Sequence, residues 1–224
     1  MIPFMFYTAG CENQFLTDIR KLIQSDQLKP MIKILTLQNK MPEFTRRHLP
    51  EFNNTSEYMG NIGICYSAPC LPPYPLRDQS VSLITSTQVL LYVPLEQIHH
   101  IIKEAARLLK QGGIFIATIH LYDQYSISDP HLSKFNFLRY SKKIWDKYFN
   151  NSITYYNRLR AIDYQEIIEE YPFEIIYWQT EGGSMEDIKE LENFKIHRDF
   201  SRYSKEELSK AELTLVIEKK SLRE

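Results

Sequence analysis

Two short stretches carry the groups best suited to chemistry: Ser86-Thr87-Gln88 and His120-Leu121-Tyr122-Asp123. Each follows a run of apolar, β-branched residues and so reads as the exit of a buried strand. Open α/β sheets hold ligands outside the carboxyl ends of their strands, which puts both stretches at the mouth of a site. His120 is the nearest imidazole and can serve as a general base. A lone histidine at a strand end can equally be structural. Ser86, Thr87 and Asp123 can also do no more than cap the turns they begin. His99 and His100 fall on a helix flank and read as solvated.

A second group is basic and aromatic. Arg139, Lys142, Lys143, Lys147, Arg158 and Arg160 alternate with Tyr140, Trp145, Tyr148, Tyr155 and Tyr156. Such interleaving can stack on and pair with sugars, phosphates or single-stranded nucleic acid. A solvated amphipathic face over buried aromatics accounts for it as well. Asn157 and Arg158, at the start of the last helical crossover, are the best ligand-side candidates of this group. The formal net charge of −1 makes nucleic acid the weaker partner.

The elements that must position these residues centre on Leu76 to Asp123. Val81, Leu83, Ile84 and Thr85 suit a buried strand. Pro94 opens a helix whose Leu95, Ile98, Ile101, Ile102, Ala105, Leu108 and Leu109 recur at three- and four-residue steps. Gly112-Gly113 are expected to stop that helix; they follow it, so they are no phosphate loop. Ile114 to Ile119 returns as a second strand, completing a parallel βαβ unit.

Upstream, Phe15 to Ile23 has helical spacing, residues 31–37 fit a strand or a short helix, and residues 41–57 fit a connection or irregular helix. Ile62 to Tyr66 is a short strand. Downstream, Phe135 to Phe149 reads as an amphipathic helical region. Asp163 with Glu166 resembles a capping box opening a helix that runs to Glu170. Phe173 to Trp178 is a strand followed by a turn at Gly182-Gly183. Met185 to Phe194 is a short helix, His197 to Lys210 holds another, and Leu213 to Ile217 is a closing strand, expected to be antiparallel.

Composition sets outer bounds. With 43% hydrophobic and 25% charged residues in 224, the chain has the make-up of a soluble α/β domain. It reads as one domain over residues 1–224 with a helical, aromatic and basic cap-like segment at about 122–160. Three cysteines without a CxxC pair suit a reducing cytoplasm rather than a disulfide framework or zinc site. No run reaches the roughly 20 apolar residues of a membrane span, and Met1 to Tyr7 lacks the features of a signal peptide. The sequons at Asn53 and Asn150 read as chance, and no metal site is expected.

The phrase LRDQSVSLITSTQVLLYVP resembles the fourth-strand motif of class I S-adenosylmethionine-dependent methyltransferases of type 11, and EAARLLKQGGIFIATI resembles their next helix and strand. Tyr66, Ala68 and Pro69, the run Asn136 to Ser141, and Asn157 to Arg160 are similar to a bacterial subgroup associated with saccharide or small-molecule methylation. The resemblance implies a Rossmann-like sheet, mostly parallel with a late antiparallel strand and with incomplete or divergent N-terminal strands. It implies S-adenosylmethionine as cofactor, with Ser86, Thr87 and Gln88 lining its methionine part. It further implies O-methylation of a small, saccharide-like acceptor by His120 and Asp123, with Asn136, Arg139, Asn157 and Arg158 binding substrate.

The sequence also departs from that pattern. The Gly-rich cofactor turn has only Ala9-Gly10-Cys11-Glu12 to represent it. Ser82 stands for the usual Asp, Leu91-Tyr92 for Glu-His, and Tyr122-Asp123-Gln124-Tyr125 for Arg-Asp-His-Tyr. The alternative is therefore a shortened, non-catalytic relative that acts as an interaction or regulatory partner. A second copy or a partner chain would then cover its sheet edge.

Overall fold

The computed structural model describes residues 2–20, 23, 27–30, 32–33, 54–151 and 155–221. It divides into two compact units, Met1–Tyr74 and Pro75–Glu224.

In the first unit, helix α1 (Ile2–Thr8) precedes strand β1 (Gln14–Thr17), and helix α2 (Thr55–Asn61) precedes strand β2 (Ile64–Ser67). The strands pair in parallel, Gln14 with Ile64 through Thr17 with Ser67. Asn54 caps α2, its carboxamide oxygen accepting from Glu57 N at 2.8 Å. Phe4, Tyr58, Met59, Ile62 and Ile64 form a small core with Leu28 and Ile32. Gly63 is required where it stands: its φ is +70°, and a Cβ would lie 1.9 Å from the carbonyl oxygen of Glu12.

The helix expected over Phe15 to Ile23 is not found in the described part of that stretch. Pairing with β2 makes Gln14–Thr17 a strand, because a ladder of backbone hydrogen bonds outweighs a short run of helical spacing. Of the stretch at 31–37, residues 32 and 33 are helical and the rest lies outside the described residues. The same holds for 41–53, after which α2 begins.

The second unit is built on a four-stranded sheet: β3 (Val81–Thr87), β4 (Leu109–His120), β5 (Phe173–Gly182) and β6 (Lys210–Lys219). The spatial order is β3-β4-β6-β5. β3 and β4 are parallel, whereas β6 runs antiparallel to both β4 and β5. The expected late antiparallel strand is thus β6. Helix α3 (Leu95–Leu108) makes the β3–β4 crossover. Its Ile98, Ile102 and Ala105 pack on Phe115, Ala117, Ile119, Leu213, Leu215 and Ile217 of the sheet. Each of the isoleucine, leucine and phenylalanine side chains contributes about 1.5–3 kcal/mol by leaving water.

Gly112 and Gly113 do not end α3. The helix stops at Leu108, and Leu109 is already extended at φ −67°, ψ 139°. The glycines lie inside β4, where the register slips from Val81↔Leu109 to Leu83↔Ile114. Gly112 takes φ +70°, and a Cβ on Gly113 would sit 2.9 Å from the carbonyl oxygen of Lys110. They allow a bulge that a side chain would obstruct.

Beyond β4 come helix α4 (Tyr125–Ser128), a 3₁₀ turn at Asn136–Arg139, and helix α5 (Lys142–Tyr148). The helical region expected over Phe135 to Phe149 is therefore two pieces, broken where Ser141 caps α5 by accepting from Ile144 N at 3.2 Å. Phe135, Phe137, Leu138 and Trp145 bury against Leu191, Phe200 and Leu208. Those partners come from helix α7 (Met185–Glu192), the 3₁₀ turn Arg198–Phe200, and helix α8 (Lys205–Ser209).

Helix α6 (Ala161–Glu169) starts earlier than expected. Its N-cap position is Arg160, and Asp163 is the third helical residue, accepting from Arg160 N at 2.6 Å. Asp163 also accepts from Tyr203 Oη at 2.9 Å and pairs with Arg202.

Candidate functional site

His120 ends β4, and the residues after it turn into the wall of a cleft. Its lining includes His120, Tyr122, Asp123, Tyr156, Asn157 and Arg158, with Phe137 and Trp145 behind them. The space within is about 20 Å³. That is room for an ordered water molecule, and the cleft is otherwise open to solvent.

The His120 ring sits between two partners. Nδ1 lies 3.3 Å from Tyr122 Oη, and Nε2 lies 3.4 Å from Glu212 Oε2. Its ring also leans on that of Tyr122, with centroids 4.8 Å apart. Glu212 is brought there by the β4–β6 ladder, in which it pairs directly with His120. A carboxylate on one imidazole nitrogen fixes the tautomer and leaves the other nitrogen as acceptor. Burial raises the Tyr122 phenol above its ordinary range.

Gln88 joins the same strand end. Its side-chain oxygen accepts from His120 N at 2.6 Å, and its own N–H donates to Thr118 O at 2.8 Å. Gln88 takes a left-handed φ of +53° to do so. Its carboxamide oxygen is thus committed to tying β3 to β4. Ser86 is half-buried and Thr87 exposed at the adjoining end of β3.

Asp123 is buried, at 2% exposure. Its carboxylate accepts from Tyr125 N at 2.9 Å and from Asn136 Nδ2 at 3.2 Å. Burial raises its pKa, against the pull of those N–H donors. Asn136 is therefore a support for Asp123. Arg139 is brought elsewhere: it is exposed, with its guanidinium 4.2 Å from the Phe194 ring centroid.

Asn157 is fully engaged. Its Nδ2 donates to Leu90 O at 2.7 Å and Val93 O at 2.9 Å, while Oδ1 accepts from Leu159 N at 3.0 Å. It straps the segment before α6 to the turn after β3. Arg158 follows at φ +61°. Its Nη1 donates to Phe137 O at 3.3 Å and Tyr140 O at 2.7 Å. Burial lowers its pKa to about 10. Tyr156, beside Tyr92 and Tyr125, is pushed up to about 12, mainly by burial.

Sequence reasoning missed Glu212, because its pairing with His120 exists only in the register of β4 on β6. It also missed Asp18 in the first unit. Asp18 follows β1 at its carboxyl end, with its N–H on Ser67 O of β2 at 3.3 Å. Rossmann-type sheets carry their ribose-binding carboxylate at such a strand end. The reading of Phe15 to Ile23 as a helix hid that signal. Gly10, the one glycine of the expected cofactor turn, instead ends α1 at φ +101°.

Among the described residues, no group of three or more His, Cys, Asp or Glu could hold a metal ion. No described helix is long and apolar enough to cross a membrane.

A sequence profile described as "Methyltransferase domain" matches residues 17–117. Solved structures resemble the chain. A protein from Pyrococcus horikoshii OT3 is 11% identical, with 98% of this chain and 76% of that one covered at a TM-score of 0.53. An S-adenosylmethionine-dependent methyltransferase from Methanosarcina mazei is 13% identical over 95% and 84% of the two chains, at 0.49. The geranyl diphosphate C-methyltransferase of Streptomyces coelicolor A3(2), solved with S-adenosyl-L-homocysteine, is 9% identical over 96% and 76%, at 0.47. At 11% identity the likeness to the Pyrococcus protein is one of fold. No curated protein sequence matches the chain.

Proposed function

We propose that this chain is an S-adenosylmethionine-dependent methyltransferase acting on a hydroxyl of a small, saccharide-like acceptor. The observation that supports it most is the His120–Glu212 pair at the carboxyl end of β4, beside a cleft lined by Tyr122, Asp123 and Arg158. The residues present suit part of the cofactor. In the second unit, Ser86 and Thr87 offer hydroxyls for its methionine part. A glycine turn between a strand and a helix is not found among the described residues.

S-adenosylmethionine, when bound, supplies a methyl group on a positively charged sulfur. The chain's own share is to position and to move one proton. His120 Nδ1 accepts the proton of the acceptor hydroxyl, directly or through Tyr122 Oη, while Glu212 steadies the imidazolium that results. Asp123, with a raised pKa, orients the acceptor.

A second reading has its own observation. A cleft of about 20 Å³, with Asn157 and the Gln88 oxygen already engaged, suits a non-catalytic relative that works through a partner. The outer edge of β3 lacks a strand partner among the described residues, and such edges invite pairing with a second copy or another chain.

Titration calorimetry with S-adenosylmethionine and S-adenosylhomocysteine separates the two. Saturable heat supports the enzyme. No heat and no thermal shift at millimolar ligand overturns it for this chain, and light scattering then reports whether the chain self-associates.

A further inference from the structure

We propose that Arg158 is an anion anchor, and that the acceptor taken by this cleft carries a carboxylate or phosphate group. The inference rests on the reading of the cleft as an acceptor site and narrows the acceptor's class.

The guanidinium is held in place before any ligand arrives. Asn157 straps the backbone on one side, and both Nη1 hydrogens are spent on the carbonyls of Phe137 and Tyr140. Two rings flank it, with the Trp145 centroid at 5.2 Å and that of Phe200 at 5.1 Å. Nε and Nη2, carrying three N–H groups, have no partner among the described residues.

Among the described residues, no carboxylate pairs with it. The nearest acids that influence it, Asp146 and Asp199, are engaged elsewhere. Asp146 pairs with Lys142 and accepts from Asn150 Nδ2 at 3.0 Å. Asp199 accepts from Lys142 N at 2.7 Å and pairs with His197 at 3.1 Å.

The other arginines of this unit that are buried or paired differ from it. Arg107 pairs with Glu104 and Asp78, and Arg202 with Asp163 and Glu166. Arg160, fully buried, is spread over the carbonyls of Leu121, Leu208 and Lys210. Arg158 alone among these combines a cleft-lining position with an unused N–H fork. Burying a charge without a counterion is costly, and a planar fork matches a carboxylate or phosphate two bonds at a time. A sugar acid or sugar phosphate meets both the fork and the aromatic walls.

The test uses the full chain with Trp178→Phe, so that Trp145 alone reports by fluorescence. Glucuronate, glucose 6-phosphate and glucose are titrated at matched ionic strength, with and without S-adenosylhomocysteine. At least one anionic sugar should bind about 10-fold or more tightly than glucose, as charge-assisted hydrogen bonds warrant. Which of the two prevails identifies the anionic group.

Arg158→Met should abolish the preference and Arg158→Lys should retain part of it, while Arg139→Met leaves it intact. If Arg158→Met does not melt cooperatively, Arg158→Lys decides: an unchanged preference there counts against the fork. Equal binding of all three sugars overturns the proposal even where S-adenosylhomocysteine binds. Failure of S-adenosylhomocysteine to bind overturns the methyltransferase reading instead, and the sugar titrations still decide the anchor.

Discussion

His120 and Glu212 face each other across the β4–β6 ladder, with Nε2 and Oε2 3.4 Å apart. The pairing gives the imidazole a carboxylate partner that is fixed by register. If His120 is the base, His120→Ala should lower kcat by about 10²–10⁴-fold. Glu212→Gln should lower kcat less, with KM little changed, because it keeps the shape and removes the charge. Steady-state kinetics with a competent acceptor check both. An unaltered kcat in Glu212→Gln would reduce the pair to a surface contact.

Asp123 should make the fold more stable in acid than at neutral pH. Its pKa is raised by burial, so the folded state holds the proton more tightly than the unfolded chain. That contribution is complete below the ordinary carboxylate range and disappears as pH rises through the folded value. Asp123→Asn, with the Asn136 amide turned to present its oxygen, should match or exceed the parent's Tm at neutral pH and lose that advantage in acid. Asp187 should behave in the opposite sense. Burial pushes it up, but Lys134 and the Ser184 N–H outweigh that and leave it lowered. Its contribution is present above the ordinary carboxylate range and lost as pH falls through the folded value. Thermal melts of Asp123→Asn and Asp187→Asn across pH should therefore diverge in opposite directions.

Asn157→Ala should cost about 2–3 kcal/mol, since it strands the carbonyls of Leu90 and Val93 together with the Leu159 N–H. Urea unfolding measures this directly. A loss below about 0.5 kcal/mol would mean that water replaces the strap, as it does at ordinary surface positions.

The scaffold of the second unit was legible because periodicity and composition act locally. The apolar steps of α3 and the β-branched runs of β3, β4 and β6 each declare their own element. What stayed hidden depends on pairing. Gly112-Gly113 look like a helix stop by sequence, yet the register slip against β3 makes them a bulge. Gln14–Thr17 is a strand because β2 is beside it. In the site, His120, Asp123, Asn157 and Arg158 were named by residue type and do meet at one cleft. Their duties were not legible. Asn157 is a strap, Asn136 supports Asp123, and Glu212 was invisible until β6 was laid against β4.

Asp18 provides the sharpest test of the first unit. It follows β1, and among the described residues its Oδ1 accepts a local bond from Arg20 N at 3.1 Å, so a change of side chain should leave the fold intact. Its carboxylate would accept from ribose hydroxyls, an interaction that a carboxamide reproduces poorly. Asp18→Asn should weaken S-adenosylhomocysteine binding about 10-fold, in line with the loss of one charged hydrogen bond. Its Tm should stay within about 1 °C of the parent's, as expected for a surface substitution away from packed features. Calorimetry and a thermal melt on the same sample give both numbers. Unchanged binding together with an unchanged Tm would show that Asp18 holds no ribose.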